Sequence, residues 1–85
     1  MTTITTQQAL VITGISEILQ EVAGTPAEDV TPEANFAEDL DIDSLTMVEV
    51  VVAAEERFSI AIPDAEVKDL VTVADVVEFV RRVTG

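Results

Sequence analysis

Three carboxylates at alternate positions, Asp39, Asp41 and Asp43, lead into a single serine, Ser44, at the head of a long apolar run. Acids and a hydroxyl in this order suit a helix cap, a cation loop, a serine nucleophile or a modified hydroxyl. The cap is the plainest, because Asp and Ser side chains accept hydrogen bonds from the unpaired amides of a first helical turn, and Asp43 is the best placed for it. A calcium loop needs more. The acids match the opening of the D-x-D-x-D pattern, but the sixth position, which should be Gly, is Ser44, and the twelfth, which should be Glu, is Val50. No metal site is therefore expected. A serine nucleophile needs a base, and the chain has no His, no Cys and no Lys nearer in sequence than Lys68. No catalytic residue is expected either, which leaves Ser44 as a point of covalent attachment, exposed at a helix start and flanked by acids that a modifying enzyme can recognise. An attached phosphodiester would gain from the positive end of that helix, although the neighbouring carboxylates oppose it.

The body that carries this segment is small. At 85 residues the chain can bury one modest core and cannot form a cleft between two domains. Hydrophobic residues make up 48%, with only 3 Gly and 3 Pro, so enough apolar surface is available to offset chain entropy and an ordered helical protein follows. The 17 acids and 4 bases give a net charge of −13, and ten acids with no base lie between Glu28 and Glu56. Such a field attracts basic partner surfaces and disfavours nucleic acid and anionic membrane. Met1-Thr2-Thr3-Ile4 has no basic region followed by an apolar block, and no stretch reaches membrane-span length, so a soluble, cytoplasmic monomer is expected.

Apolar spacing predicts four helices. Thr5 or Thr6 caps the first, with Leu10, Val11, Ile15, Ile18, Leu19 and Val22 inward; Gly14 within it implies close approach of another segment. Gly24 and Pro26 form a stop signal. The nineteen residues from Thr25 to Asp43 are too many for a structureless loop and need internal order. Thr25-Pro26-Ala27-Glu28 has a capping-box pattern, Thr31-Pro32 repeats the start signal, and Val30, Phe36, Leu40 and Ile42 are the expected anchors. The second helix runs from Asp43 or Ser44 to about Phe58. Beyond it lie an extended link to Pro63, a brief third helix capped by Asp64 with Val67 and Leu70, and a fourth opening at Thr72-Val73. Val73, Val76, Val77, Phe79, Val80 and Val83 face inward in that fourth helix, while Arg81 and Arg82 complement its dipole. The fold expected is all-α, a small four-helix bundle of three longer helices and one short, with a long ordered loop between the first and second.

At about 100° per residue the second helix has two apolar faces. Met47, Val50, Val51, Ala54 and Phe58 make a sufficient core stripe. Leu45, Val48 and Val52 make another, on the side of Ser44 and bordered by Glu49, Glu55 and Glu56. Either the helix is buried on two sides, or this stripe is an exposed apolar patch with an acidic rim, which suits partners carrying Arg and Lys around an apolar centre.

The run Phe36-Ala37-Glu38-Asp39-Leu40-Asp41-Ile42-Asp43-Ser44-Leu45, continued by Val48-Glu49, Glu55-Glu56-Arg57-Phe58 and Ile62-Pro63-Asp64, resembles the acyl carrier proteins over nearly the whole chain. The resemblance implies a single acyl carrier domain over residues 1–85. Ser44, between Asp43 and Leu45, would carry 4′-phosphopantetheine, installed from coenzyme A by a magnesium-dependent phosphopantetheinyl transferase. It also implies a carrier without catalytic activity of its own, holding acyl chains as thioesters and delivering them to ketoacyl synthases, malonyl transacylase, reductases and dehydratases with basic docking patches. Leu45, Val48, Glu49, Val52, Glu55 and Glu56 are the expected partner-binding residues. Two positions depart from the family pattern: Asp41 stands where many members have Gly, and Thr46 where an acid is frequent. The version here is most similar to actinobacterial carriers of the dissociated fatty acid system. Polyketide carriers share the serine and the fold, and an acidic helical adaptor without a prosthetic group is the alternative outside the family. Ala54, where a larger aliphatic is common, is expected to leave space for an acyl chain between the helices.

Overall fold

The computed structural model describes residues 6–84. It is all helical: α1 (Thr6–Ala23), a single 3-10 turn (Ala27–Asp29), α2 (Ser44–Phe58), the short α3 (Asp64–Val67) and α4 (Val73–Thr84). One apolar cluster joins them. Ile15, Leu19 and Val73 are its most enclosed members, and Phe36, Val50, Ala54, Ile62, Leu70 and Val76 pack around them.

The face of α1 that carries Val11, Ile15, Ile18 and Leu19 is buried as expected, but Leu10 is 66% exposed. On a helix Leu10 stands about 100° from Val11, which places it off the stripe whose centre lies between Val11, Ile15 and Val22. Thr6, the first described residue, is already helical rather than a cap, and Thr5 lies outside the described residues. Gly14 is required by contact, since a Cβ there would lie 2.8 Å from Cζ of Phe58, the ring that closes the α1–α2 interface. The α1 terminus is as expected: Gly24 has φ +69° and its N–H donates to the Gln20 carbonyl, while that of Thr25 donates to Leu19.

The segment from Thr25 to Asp43 is ordered, but not by the caps expected in it. The 3-10 turn has Pro26 at its N-cap with no side-chain cap bond, and the Thr31-Pro32 signal yields a turn closed by Ala34 N–H on the Thr31 carbonyl. Order comes from burial of Val30, Ala34, Phe36, Leu40 and Ile42 and from a short antiparallel pairing of Asn35 with Thr72. Phe36 N–H donates to the Val71 carbonyl at 3.0 Å, Val73 N–H to Ala34 at 3.0 Å and Ala74 N–H to Pro32 at 2.9 Å. The loop is thereby stapled to the head of α4. That head is a capping box, with the Asp75 carboxylate accepting from Val71 and Thr72 N–H and the Thr72 hydroxyl accepting from Asp75 N–H.

Two further expectations are corrected. Asp64 is the first residue of α3 and makes no side-chain cap; Pro63 holds the N-cap position. Val83 is 50% exposed despite lying in phase with Val76 and Val80, because the last turn of α4 runs past the core. Arg81 pairs with Glu78 one turn back, and Arg82 covers the Phe79 ring at 5.4 Å.

Candidate functional site

The three alternating acids before Ser44 divide into separate tasks. Asp39 closes the preceding turn: its Oδ2 accepts from Asn35 N–H at 2.7 Å, while Asn35 Oδ1 accepts from Ala37 at 3.0 Å and Glu38 at 2.9 Å. Asp41 has φ +54°, a left-handed conformation that costs a side chain other than glycine and is best tolerated by Asn and Asp. This is the physical reason Gly is natural at this position. Asp43 is the N-cap of α2, extended at φ −80° and ψ 176°, with Oδ1 accepting from Thr46 N–H at 2.8 Å. The Thr46 backbone N–H, with its hydroxyl in support, holds the Asp43 carboxyl below the usual aspartate range. Among the described residues, no three Asp or Glu side chains converge as a metal cluster.

Ser44 is then the first residue of α2, exposed, with no hydrogen-bond partner for its hydroxyl among the described residues. Buried Ile42 anchors the chain two residues before it, and its N–H donates to the Phe36 carbonyl at 2.8 Å. On the other side the core stripe of α2 fixes the helix: Val50, Val51 and Ala54 are buried, and Met47 and Phe58 are partly buried against them. The backbone at Ser44 is thus anchored on both sides while its hydroxyl stands open to solvent.

The second stripe of α2 is open to solvent. Leu45 is 74% exposed, Val48 57% and Val52 50%, which removes the reading of a helix buried on two sides. Glu49 and Glu56 are exposed beside it. Glu55 differs: it is half-buried, and its Oε2 accepts from Ile62 N–H at 2.8 Å, so this carboxylate is turned to the chain's own backbone. The base nearest this rim in sequence, Arg57, pairs with Glu17 on α1. Sequence reasoning missed Asn35, whose signal was an Asn at the head of a turn with an Asp four residues on.

The space expected beside Ala54 is a void of about 10 Å³, bordered by Phe36, Met47, Val50, Ile62 and Leu70. That is about the volume one water-sized sphere needs, so an acyl chain finds no ready room there and any entry requires the helices to part.

A family model described as a phosphopantetheine attachment site matches residues 13–80. The chain is 58% identical over 74 residues to an acyl carrier protein of Acidothermus cellulolyticus, covering 87% of this chain and 88% of that one. It is 51% identical over 72 residues to an acyl carrier protein of Thermobifida fusca, covering 85% and 91%. A meromycolate extension acyl carrier protein of Mycobacterium leprae is 45% identical over 75 residues, 88% of this chain and 65% of that protein. An exposed serine at the head of α2, within a matched region that spans most of the sequence, agrees with these likenesses: the chain belongs to the acyl carrier proteins, the family built around a phosphopantetheine attachment site.

Proposed function

We propose that Ser44 carries 4′-phosphopantetheine and that the chain holds growing acyl groups on it for fatty acid synthesis, with residues 1–85 acting as one monomeric carrier domain in the cytoplasm. The observation that carries this reading is the Ser44 hydroxyl, exposed and without a hydrogen-bond partner among the described residues, on the first residue of a fifteen-residue helix. The residues fit the group. A phosphodiester on Ser Oγ would face the amide end of α2, where negative charge is favoured. When attached, the arm supplies the thiol that this cysteine-free chain lacks, so that acyl groups can be held as thioesters.

The chain supplies an oxygen and no base. Asp43, the carboxylate nearest in sequence, is committed to Thr46 N–H and held in its ionised form, a poor proton acceptor. Deprotonation of Ser44 therefore falls to the phosphopantetheinyl transferase, and the carrier has no catalysis of its own. Leu45, Val48 and Val52 with Glu49 and Glu56 form the surface that partners dock on. A small apolar centre with an acidic rim gives fast, electrostatically steered and short-lived association, as a carrier visiting synthases, a transacylase, reductases and dehydratases requires. The relative named for meromycolate extension supports fatty acyl over polyketide cargo.

Intact mass after incubation with coenzyme A, magnesium and a broad-specificity phosphopantetheinyl transferase tests the reading. A single addition of one phosphopantetheine, absent in Ser44→Ala, is expected. No addition to the unmodified chain would instead favour an acidic adaptor that uses the same surface without a prosthetic group.

A further inference from the structure

The rim of α2 contains three carboxylates, and one of them is spoken for. Three amides of the link that follows the helix converge on Glu55. Its main-chain carbonyl accepts from Ser59 N–H and from Ile60 N–H at 3.1 Å, and its Oε2 accepts from Ile62 N–H at 2.8 Å. The reversal they stabilise is demanding: Ser59 is left-handed at φ +55°, and Pro63, one residue after Ile62, opens α3. Ile62 is 6% exposed and borders the interior void beside Ala54, so its amide sits where the chain dives into the core. By helical phase Glu55 belongs to the side of Leu45, Val48 and Val52, yet its carboxylate serves the backbone. Glu49 and Glu56 have no such partner among the described residues.

We infer that Glu55 is a positioning residue: its carboxylate locks the 59–63 link onto the end of α2 and so fixes the edge of the docking surface, rather than meeting a partner's cation. The inference rests on the docking role proposed for α2. The logic is one of accepting atoms. An amide oxygen can still accept the Ile62 N–H, though more weakly than a carboxylate oxygen, whereas it cannot attract an arginine by charge. Positioning therefore survives Glu55→Gln and fails in Glu55→Ala, while a docking charge fails in both.

Hydrogen exchange at the Ile62 amide, read by NMR, is measured for Glu55→Gln, Glu55→Ala and Glu49→Gln. In parallel the KM of each chain as substrate for coenzyme A-dependent loading is measured at low salt. In Glu55→Ala, Ile62 exchange is expected to rise about tenfold or more, the factor carried by loss of a hydrogen bond to a charged group, with KM raised and kcat unchanged. Glu55→Gln should restore KM and recover part of the Ile62 protection, with exchange clearly below that of Glu55→Ala. Glu49→Gln should raise KM and leave Ile62 exchange as it was. A KM in Glu55→Gln raised as far as in Glu49→Gln, with Ile62 still protected, would overturn the inference, as would unchanged Ile62 exchange in Glu55→Ala. If no variant and not even the unmodified chain is loaded, the attachment role of Ser44 has failed, and the exchange experiment still decides the role of Glu55.

Discussion

Asp43 carries the most local consequence. Its carboxyl is held below the usual aspartate range by the Thr46 N–H in the folded chain and returns to its ordinary value on unfolding. A group shifted in that direction stabilises the fold above its unfolded value and loses that contribution as pH falls through the folded one. Asp43→Asn keeps an acceptor and removes the titration. The melting-temperature gap between the unmodified chain and Asp43→Asn should therefore shrink as pH drops below about 4; a gap independent of pH in that range would contradict the assignment. Asp41 makes the opposite case, a residue in an unfavourable backbone region at φ +54°. Asp41→Gly should raise stability by up to about 1 kcal/mol and Asp41→Val should lower it, both measurable by urea unfolding. The cap was legible because its partner lies three residues away. That Asp41 occupies a position natural to Gly was legible only by resemblance, since nothing in an acid flanked by Leu40 and Ile42 announces a positive φ.

For the elements, legibility followed periodicity. The four helices and the two faces of α2 were readable because apolar residues recur at three and four positions. Leu10 was misplaced because it adjoins Val11 in sequence, and a hydrophobic residue next to a stripe looks like part of it. The loop from Thr25 to Asp43 was readable only through its apolar anchors. Its caps were misjudged, since the stabilising partners lie across the molecule at Val71 and Val73 and not in the next turn. Phe36 unites both kinds of restraint, with its ring 3% exposed in the core and its amide on the Val71 carbonyl. Phe36→Ala should cost about 3 to 5 kcal/mol in denaturant unfolding. A loss below about 1 kcal/mol would mean that the loop is not held by this anchor.

For the molecule as a whole, the sign and size of the charge were plain from sequence, and the structure shows where three of the four bases, the arginines, go. Arg57 serves Glu17, Arg81 serves Glu78, and Arg82 lies 3.8 Å from Glu66, so their charge is spent on pairs at the surface. The acids around Ser44 are left to repel one another. Raising ionic strength from about 0.01 M to 0.15 M shortens the screening length from about 30 Å to 8 Å and should raise the melting temperature. Melting that does not respond to salt would refute net self-repulsion as a term in stability. The fold and the place of Ser44 at the head of α2 were thus legible at this scale, while the division of the rim into exposed and committed carboxylates was not, because it depends on the backbone of the link after α2.

The pairing of Asn35 with Thr72 has a mechanical consequence. The segment leading to Ser44 is clamped to the start of α4, and α2 itself is clamped to α1 by the ring of Phe58 over Gly14. The serine is a stiff pivot. The arm proposed on Ser44 would swing with a radius set by its own length, so the distance from a partner's docking patch to its reaction chamber would be a quantity the arm alone must match.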